Sequence, residues 1–222
     1  MDLQLVIFDL DGVIVDTAKY HFLAWKRLAE EMGIEFTPRD NERLKGVSRM
    51  RSLDILLEIG GKALSDVHKE QLAGRKNAWY VEYIDQMDAS EILPGVLPFL
   101  DELREAGIKT AIGSASKNAR RILDRIGLTD YFDAIVDGNL VSKAKPDPEV
   151  FSLGASMLGI QPEHTVVFED AQAGIEAALR AEMTPIGVGD PQVLSGARHV
   201  IPGFASFGLP ELERILQGNN NA

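Results

Sequence analysis

The 222-residue chain has no cysteine. That excludes a disulfide framework, a thiolate nucleophile and a zinc–thiolate site. It also fits a reducing cytoplasm, the compartment expected for this protein. No apolar run reaches the roughly 18 residues of a membrane helix, so no spanning segment is expected. The first residues lack the basic start and small-residue cleavage site of a secretory leader, and their apolar run meets acids within a few positions, so none is expected. Basic residues are scarce: 23 Lys+Arg stand against 34 Asp+Glu, a formal net charge of -11. Such a balance disfavours nucleic acid and anionic membrane as partners. No repeat and no heptad pattern is present, so a monomer is expected. The 45% apolar and 26% charged content is ordinary for a globular chain, and the length suits one large domain or a core with an insert.

Against that acidic background, local basic clusters carry information. One is Arg43-Leu44-Lys45-Gly46-Val47-Ser48-Arg49-Met50-Arg51, with four positive residues and no acid. Its Gly46-Val47-Ser48 backbone, opening a helix, is a candidate anion nest. The others are Ser116-Lys117-Asn118-Ala119-Arg120-Arg121 and Ser142-Lys143-Ala144-Lys145-Pro146.

Leu3-Gln4-Leu5-Val6-Ile7-Phe8 reads as a buried strand that ends in Asp9-Leu10-Asp11-Gly12. After it, Asp16 or Thr17 can cap a helix running to Met32, and Pro38, Ser48 and Ser65 open three more, the last ending near Asp85. From Pro94 onward strands and helices alternate. Strands are expected over 108–114, 132–136, 165–168, 184–188 and 199–201. Helices are expected over 117–126, 147–158, 171–182 and 210–216. Alternation of this kind predicts an α/β fold, a doubly wound parallel sheet with a Rossmann-like core. Residues 16–87 form an inserted all-helical domain, and residues 1–15 and 88–222 form the core. Residues 218–222 read as a disordered tail.

Parallel strands place their C-terminal ends on one edge, where open α/β sheets bind ligands. Four polar groups or pairs fall there: Asp9 with Asp11, Ser114, Lys145 in a following loop, and Glu169 with Asp170. Taken singly, each has a plainer reading as a turn, a helix cap or a solvated lysine. Together they supply hard oxygen ligands for Mg²⁺, a carboxylate nucleophile and a cation for phosphate. By pattern alone His21 and Trp25 read as packing residues on one helix face, and Lys76 as a surface lysine.

These residues, in this order, resemble the haloacid dehalogenase-like superfamily over essentially the whole chain. Phe8-Asp9-Leu10-Asp11-Gly12-Val13 resembles its first motif, Ser114 its second, Lys145 its third and Glu169-Asp170 its fourth. The insert stands where that family carries a helical cap. The segments 16–25, 44–49, 75–77, 114–118 and 169–175 further resemble its sugar phosphomutase branch. The resemblance implies Asp9 as nucleophile, Asp11 as general acid/base, and Ser114 and Lys145 steadying the transferring phosphate. It implies Mg²⁺ held by Asp9, Asp11 (through its carbonyl) and Asp170, with Glu169 in support. Arg49 would hold the remote phosphate. Ala115, Ser116, Lys117 and Asn118 would line the substrate pocket. Thr17, His21, Trp25, Lys45, Gly46, Val47, Ser48, Ser52 and Lys76 would complete it from the hinge and cap. The implied reaction interconverts β-glucose 1-phosphate and glucose 6-phosphate, with glucose 1,6-bisphosphate as activator and intermediate. A sugar-phosphate phosphatase and a non-catalytic sugar-phosphate sensor are the rival readings. Val13 replaces the threonine of many family phosphatases, which favours the mutase. Val15 and Gly138 depart from the branch at positions outside its motifs.

Overall fold

The computed structural model describes residues 2–44 and 47–218. The expectations for Lys45, Gly46 and the 219–222 tail lie outside the described residues.

Six parallel strands form one sheet. They are β1 (Leu5–Phe8), β2 (Lys109–Gly113), β3 (Ala134–Val136), β4 (Thr165–Glu169), β5 (Thr184–Val188) and β6 (His199–Ile201). Their order is β3-β2-β1-β4-β5-β6. The chain therefore builds outward from β1 in one direction and then, from β4, in the other. The gap between β1 and β4 is the switch point where such sheets open a crevice at the strand C-termini.

The sequence of β1, all four residues buried, explains its central place. Side chains alternate between faces along a strand. Leu5 and Ile7 pack with Ala111, Val136, Val167 and Phe151 on one face, whereas Val6 and Phe8 pack with Ile112, Val166, Phe168 and Phe99 on the other. The second face carries an aromatic cluster: Phe8 stacks on Phe168 at 5.4 Å, and Phe99 meets Phe168 edge-on at 5.6 Å. Burying each such ring contributes roughly 2–3 kcal/mol.

Between β1 and β2 lie α1 (Ala18–Glu31), α2 (Pro38–Glu42), α3 (Arg49–Ile59) and α4 (Asp66–Ile84), followed by α5 (Val96–Glu105). No strand interrupts α1–α4 among the described residues, as the sequence predicts. Thr37 and Asp40 form a reciprocal capping box on α2, and the Ser48 hydroxyl accepts from Arg51 N at the start of α3. At α1 the Asp16 carboxylate accepts from Ala18 N at 3.1 Å, while Thr17 makes no capping bond. Two ties fasten the block where it rejoins the sheet. Glu91 accepts from Lys19 and Tyr20, each at 2.6 Å, and Asp85 holds Arg121 in two bonds of 2.6 Å.

The remaining helices are α6 (Ala119–Ile126), α7 (Glu149–Leu158), α8 (Gln172–Arg180) and α9 (Leu209–Gln217). The expected helix over 117–126 starts two residues late. Ser116 Oγ accepts from Asn118 N at 3.2 Å, which keeps 116–118 as a loop at the sheet edge.

Candidate active site

A cleft of about 580 Å³ opens between the C-terminal edge of the sheet and α1–α4. Strand ends supply its floor. Asp9 follows β1 and is fixed by a 2.9 Å bond from its N–H to Phe168 O. Ser114 follows β2 and is 1% exposed. Glu169 ends β4, and Asp170 is the next residue.

The centre is built on one buried cation. Lys145 Nζ donates to Asp9 Oδ1 at 2.6 Å and also to Glu169 Oε1. The other Glu169 oxygen accepts from Ala171 N at 2.9 Å, just before α8. Burial alone would push the Lys145 ammonium towards neutrality, but the Asp9 and Glu169 carboxylates outweigh it and hold its pKa above the usual lysine range. Burial pulls Glu169 the other way, towards the neutral acid, against Lys145. These two tendencies conflict. A lysine within bonding reach of both acids favours the ion-paired form.

Carboxylate oxygens of Asp9, Glu169 and Asp170 come within 4.8 Å of one another. Hard oxygen donors converging this closely fit Mg²⁺. Two glycines make the room. A Cβ on Gly12, whose φ is +84°, would lie 2.2 Å from Asp170 Oδ2, and one on Gly174 would lie 1.9 Å from the Glu169 carboxylate. We expect Gly12→Ala to displace Asp170 and weaken Mg²⁺ binding about 10- to 100-fold, as disturbing a ligand's support does elsewhere. A calorimetric Mg²⁺ titration checks this, and an unchanged affinity would remove Asp170 from the site.

The Asp11 carboxylate stands outside that trio: it accepts from the Thr17 hydroxyl of the helical block. Part of the residue remains accessible, but the carboxyl is enclosed. Burial, reinforced by the Asp9 charge, raises its pKa to about 7, with Lys145 and Lys76 opposing. A carboxyl in that range can both give and take a proton at neutral pH.

The helical wall carries Arg49, Ser48 and Val47 at the start of α3, with Ser52 one turn on, and His21, Trp25 and Lys76 from α1 and α4. Ala115, Ser116, Lys117 and Asn118 face them from the sheet edge, and Asn118 Nδ2 bridges to Asn77 Oδ1 at 3.0 Å. Among the described residues the expected set thus converges on one cleft, except Thr17 and Glu169, which are buried behind its lining.

Lys76 departs from its surface reading: it is 2% exposed. Its ammonium donates to His21 Nδ1 at 2.9 Å and lies over the rings of Trp25 and Tyr80 at 4.7 and 4.6 Å. Burial and the Arg49 charge lower its pKa to about 7, against a pull from Asp11. Burial, with Lys76 and Arg49, also holds His21 well below its usual value, so its imidazole is neutral. Because the folded pKa of Lys76 is depressed, the unfolded chain binds the extra proton between about pH 7 and 10.5. Stability from this group therefore rises with pH in that window, by up to about 1.4 kcal/mol per unit. We expect Lys76→Met to be the more stable chain at pH 7 in urea unfolding, with an advantage that shrinks towards pH 9. A pH-independent difference would contradict the assignment.

Sequence reasoning missed Tyr80. Its hydroxyl is buried beside Thr17, close to Asp11, with no well-formed hydrogen bond among the described residues. Helical spacing from Lys76 to Tyr80 was the available signal. Asn41, Glu70 and Val141 also line the cleft without having been anticipated.

Strand-end carboxylates, a buried lysine and a helical wall over a doubly wound sheet define a class. A family model described as haloacid dehalogenase-like hydrolase matches residues 3–182, and the chain belongs to that family. It is an enzyme of that family and a homologue of β-phosphoglucomutase. It is 44% identical to the β-phosphoglucomutase of Bacillus subtilis (strain 168) over 201 residues, 90% of this chain and 89% of the relative. The crystal structure of β-phosphoglucomutase from Clostridium difficile superposes with a TM-score of 0.93 at 39% identity, covering 97% of this chain and 98% of that one. A phosphorylated carbohydrates phosphatase of Thermotoga maritima is 35% identical over 182 residues, 81% of this chain and 82% of the relative. Among the described residues no helix is long and apolar enough to cross a membrane.

Proposed function

We propose that this chain interconverts β-D-glucose 1-phosphate and D-glucose 6-phosphate through phospho-Asp9 and a 1,6-bisphosphate. The observation that carries the reading is the two-sided cleft. Asp9, beside the buried Lys145, lines it from the sheet and Arg49 from the helices, and its volume of about 580 Å³ suits a sugar with a phosphate at each end. The 44% identity to a mutase supports the substrate.

In this reading, phospho-Asp9 passes its phosphoryl group to the C6 hydroxyl of β-glucose 1-phosphate, and Asp11 takes the hydroxyl proton. The bisphosphate turns about in the cleft. Asp9 then attacks the C1 phosphorus, the C1 oxygen leaves with the proton from Asp11, and glucose 6-phosphate is released. Lys145 and Ser114 hold the transferring group, and Arg49 with Ser116, Lys117 and Asn118 holds the remote phosphate. Asp9 and Asp170, with Glu169 behind them, would hold Mg²⁺, which when bound offsets negative charge on the phosphoryl oxygens. Residues 16–87 act as a cap that excludes water, so that the sugar and not water receives the phosphoryl group.

The test supplies β-glucose 1-phosphate, Mg²⁺ and a trace of glucose 1,6-bisphosphate. Glucose 6-phosphate should form without matching release of inorganic phosphate. Steady phosphate release would decide for the second reading, a sugar-phosphate phosphatase, which the Thermotoga maritima relative favours.

A further inference from the structure

Gly138 and Asn139 lie outside the motifs, in the loop after β3, yet they bond directly to the loop after β2 that lines the cleft. Gly138 N donates to Ser116 O at 3.2 Å. Asn139 Nδ2 donates to Lys117 O at 2.9 Å and to Asp137 Oδ2 at 3.2 Å, while Asp137 Oδ1 accepts from Asn139 N at 2.9 Å. Asp137 is 3% exposed, so its carboxylate is a fixed anchor and not a solvated one. The close approach needs glycine at 138, since a Cβ there would lie 2.4 Å from Ala115 O. On its other side the same loop is held by Asn118 Nδ2 on Asn77 and by Ser116 N on Ser114 Oγ at 3.1 Å.

Two successive carbonyls, those of Ser116 and Lys117, are thus tied to Gly138 and Asn139, at the start of the loop that carries Lys145 further on. Each bond fixes a peptide plane, and with it the direction of the side chains and N–H groups facing the cleft. We propose that Asn139 is a positioning residue for substrate: braced on Asp137, it sets where Ser116, Lys117 and Asn118 meet the phosphate that is not being transferred. This rests on the reading of 116–118 as a sugar-phosphate contact.

The test is Asn139→Ala, at an exposed position where the fold should survive. Amide hydrogen exchange in the Mg²⁺-loaded chain should quicken about fivefold over residues 115–118, the effect of one lost hydrogen bond. The KM for β-glucose 1-phosphate should rise about fivefold or more, with kcat changed less. Acetyl phosphate is a small donor with no remote phosphate. Its phosphoryl group passes to an Asp9 oxygen as acetate leaves, and that rate should stay as in the native chain. Unchanged exchange over 115–118 overturns the brace. An unchanged KM, or a parallel loss with acetyl phosphate, overturns its role in positioning substrate. A native chain that turns over no β-glucose 1-phosphate would instead overturn the functional reading, and the exchange measurement would still decide the brace.

Discussion

Asp9→Asn should abolish turnover, with a loss of about 10⁴-fold or more, as for removal of a covalent nucleophile. The amide oxygen left at this position is a poor nucleophile and carries no charge to attract a cation. The fold should persist, because Lys145 keeps Glu169 as a partner and the crowding of three carboxylates is relieved. Mass spectrometry of the chain incubated with acetyl phosphate and Mg²⁺ checks the assignment. The native chain should gain the mass of one phosphoryl group, and the variant should gain none. A variant that is phosphorylated, or that turns over within about tenfold of the native rate, would place the nucleophile elsewhere.

The loss should exceed that of any change in the helical wall, for a geometric reason. Asp9 is held by β1, whose register to β2 and β4 is fixed along its length, Phe8 pairing with Ile112 and Phe168. No neighbouring carboxylate can take its position without a shift of the sheet. Arg49, by contrast, sits at the start of α3, where other cations of the basic segment are near in sequence.

The strands and their polar ends were legible because they depend on local pattern: an apolar run ending in acids states both a strand and its edge. What needed three dimensions was not. Thr17 reads as a cap by residue type, but its hydroxyl reaches the Asp11 carboxylate instead, six residues back across a tight loop. Lys76 reads as surface in a polar helix, yet α4 packs on α1 and encloses it between Trp25, Tyr80 and His21. Helical spacing links Lys76 to Tyr80 alone; Trp25 and His21, about fifty residues away, are beyond any periodicity. Gly138 stood out only as a departure, since its reason is the Ala115 carbonyl of another loop. The helix after Ser116 began late for a similar cause: Ser116 Oγ satisfies the Asn118 N–H that helix formation would otherwise use.

Asp11→Asn should separate the two halves of the chemistry. The carboxyl is enclosed and raised to about 7, by burial first and the Asp9 charge second, so near neutral pH both protonation states are populated. A group shuttling a proton to and from sugar oxygens needs that property, and asparagine lacks it. The expected loss in glucose 6-phosphate formation is about 10²- to 10⁴-fold, the range for general acid–base catalysis. Phosphorylation of Asp9 by acetyl phosphate should survive, because acetate is a stable anion and leaves without a proton. Mg²⁺ affinity should also survive, since the Asp11 carboxylate lies outside the Asp9, Glu169 and Asp170 trio. The pH profile adds a check on the cause. If burial sets the pKa, the native mutase rate should titrate near pH 7, and the residual rate of the variant should not. Equal losses with the sugar phosphate and with acetyl phosphate would mean that Asp11 supports the metal or the fold. A mutase rate within about threefold of native would mean that another group handles the proton. The Thr17 bond bears on this directly. It holds the Asp11 carboxyl on the first helix of the block, so the position of that block and the readiness of the acid are mechanically joined. Any displacement of α1 relative to β1 must break or carry that bond. In the proposed mechanism, delivery of the proton and exclusion of water would then be joined in one motion, which a mutase needs and a phosphatase does not.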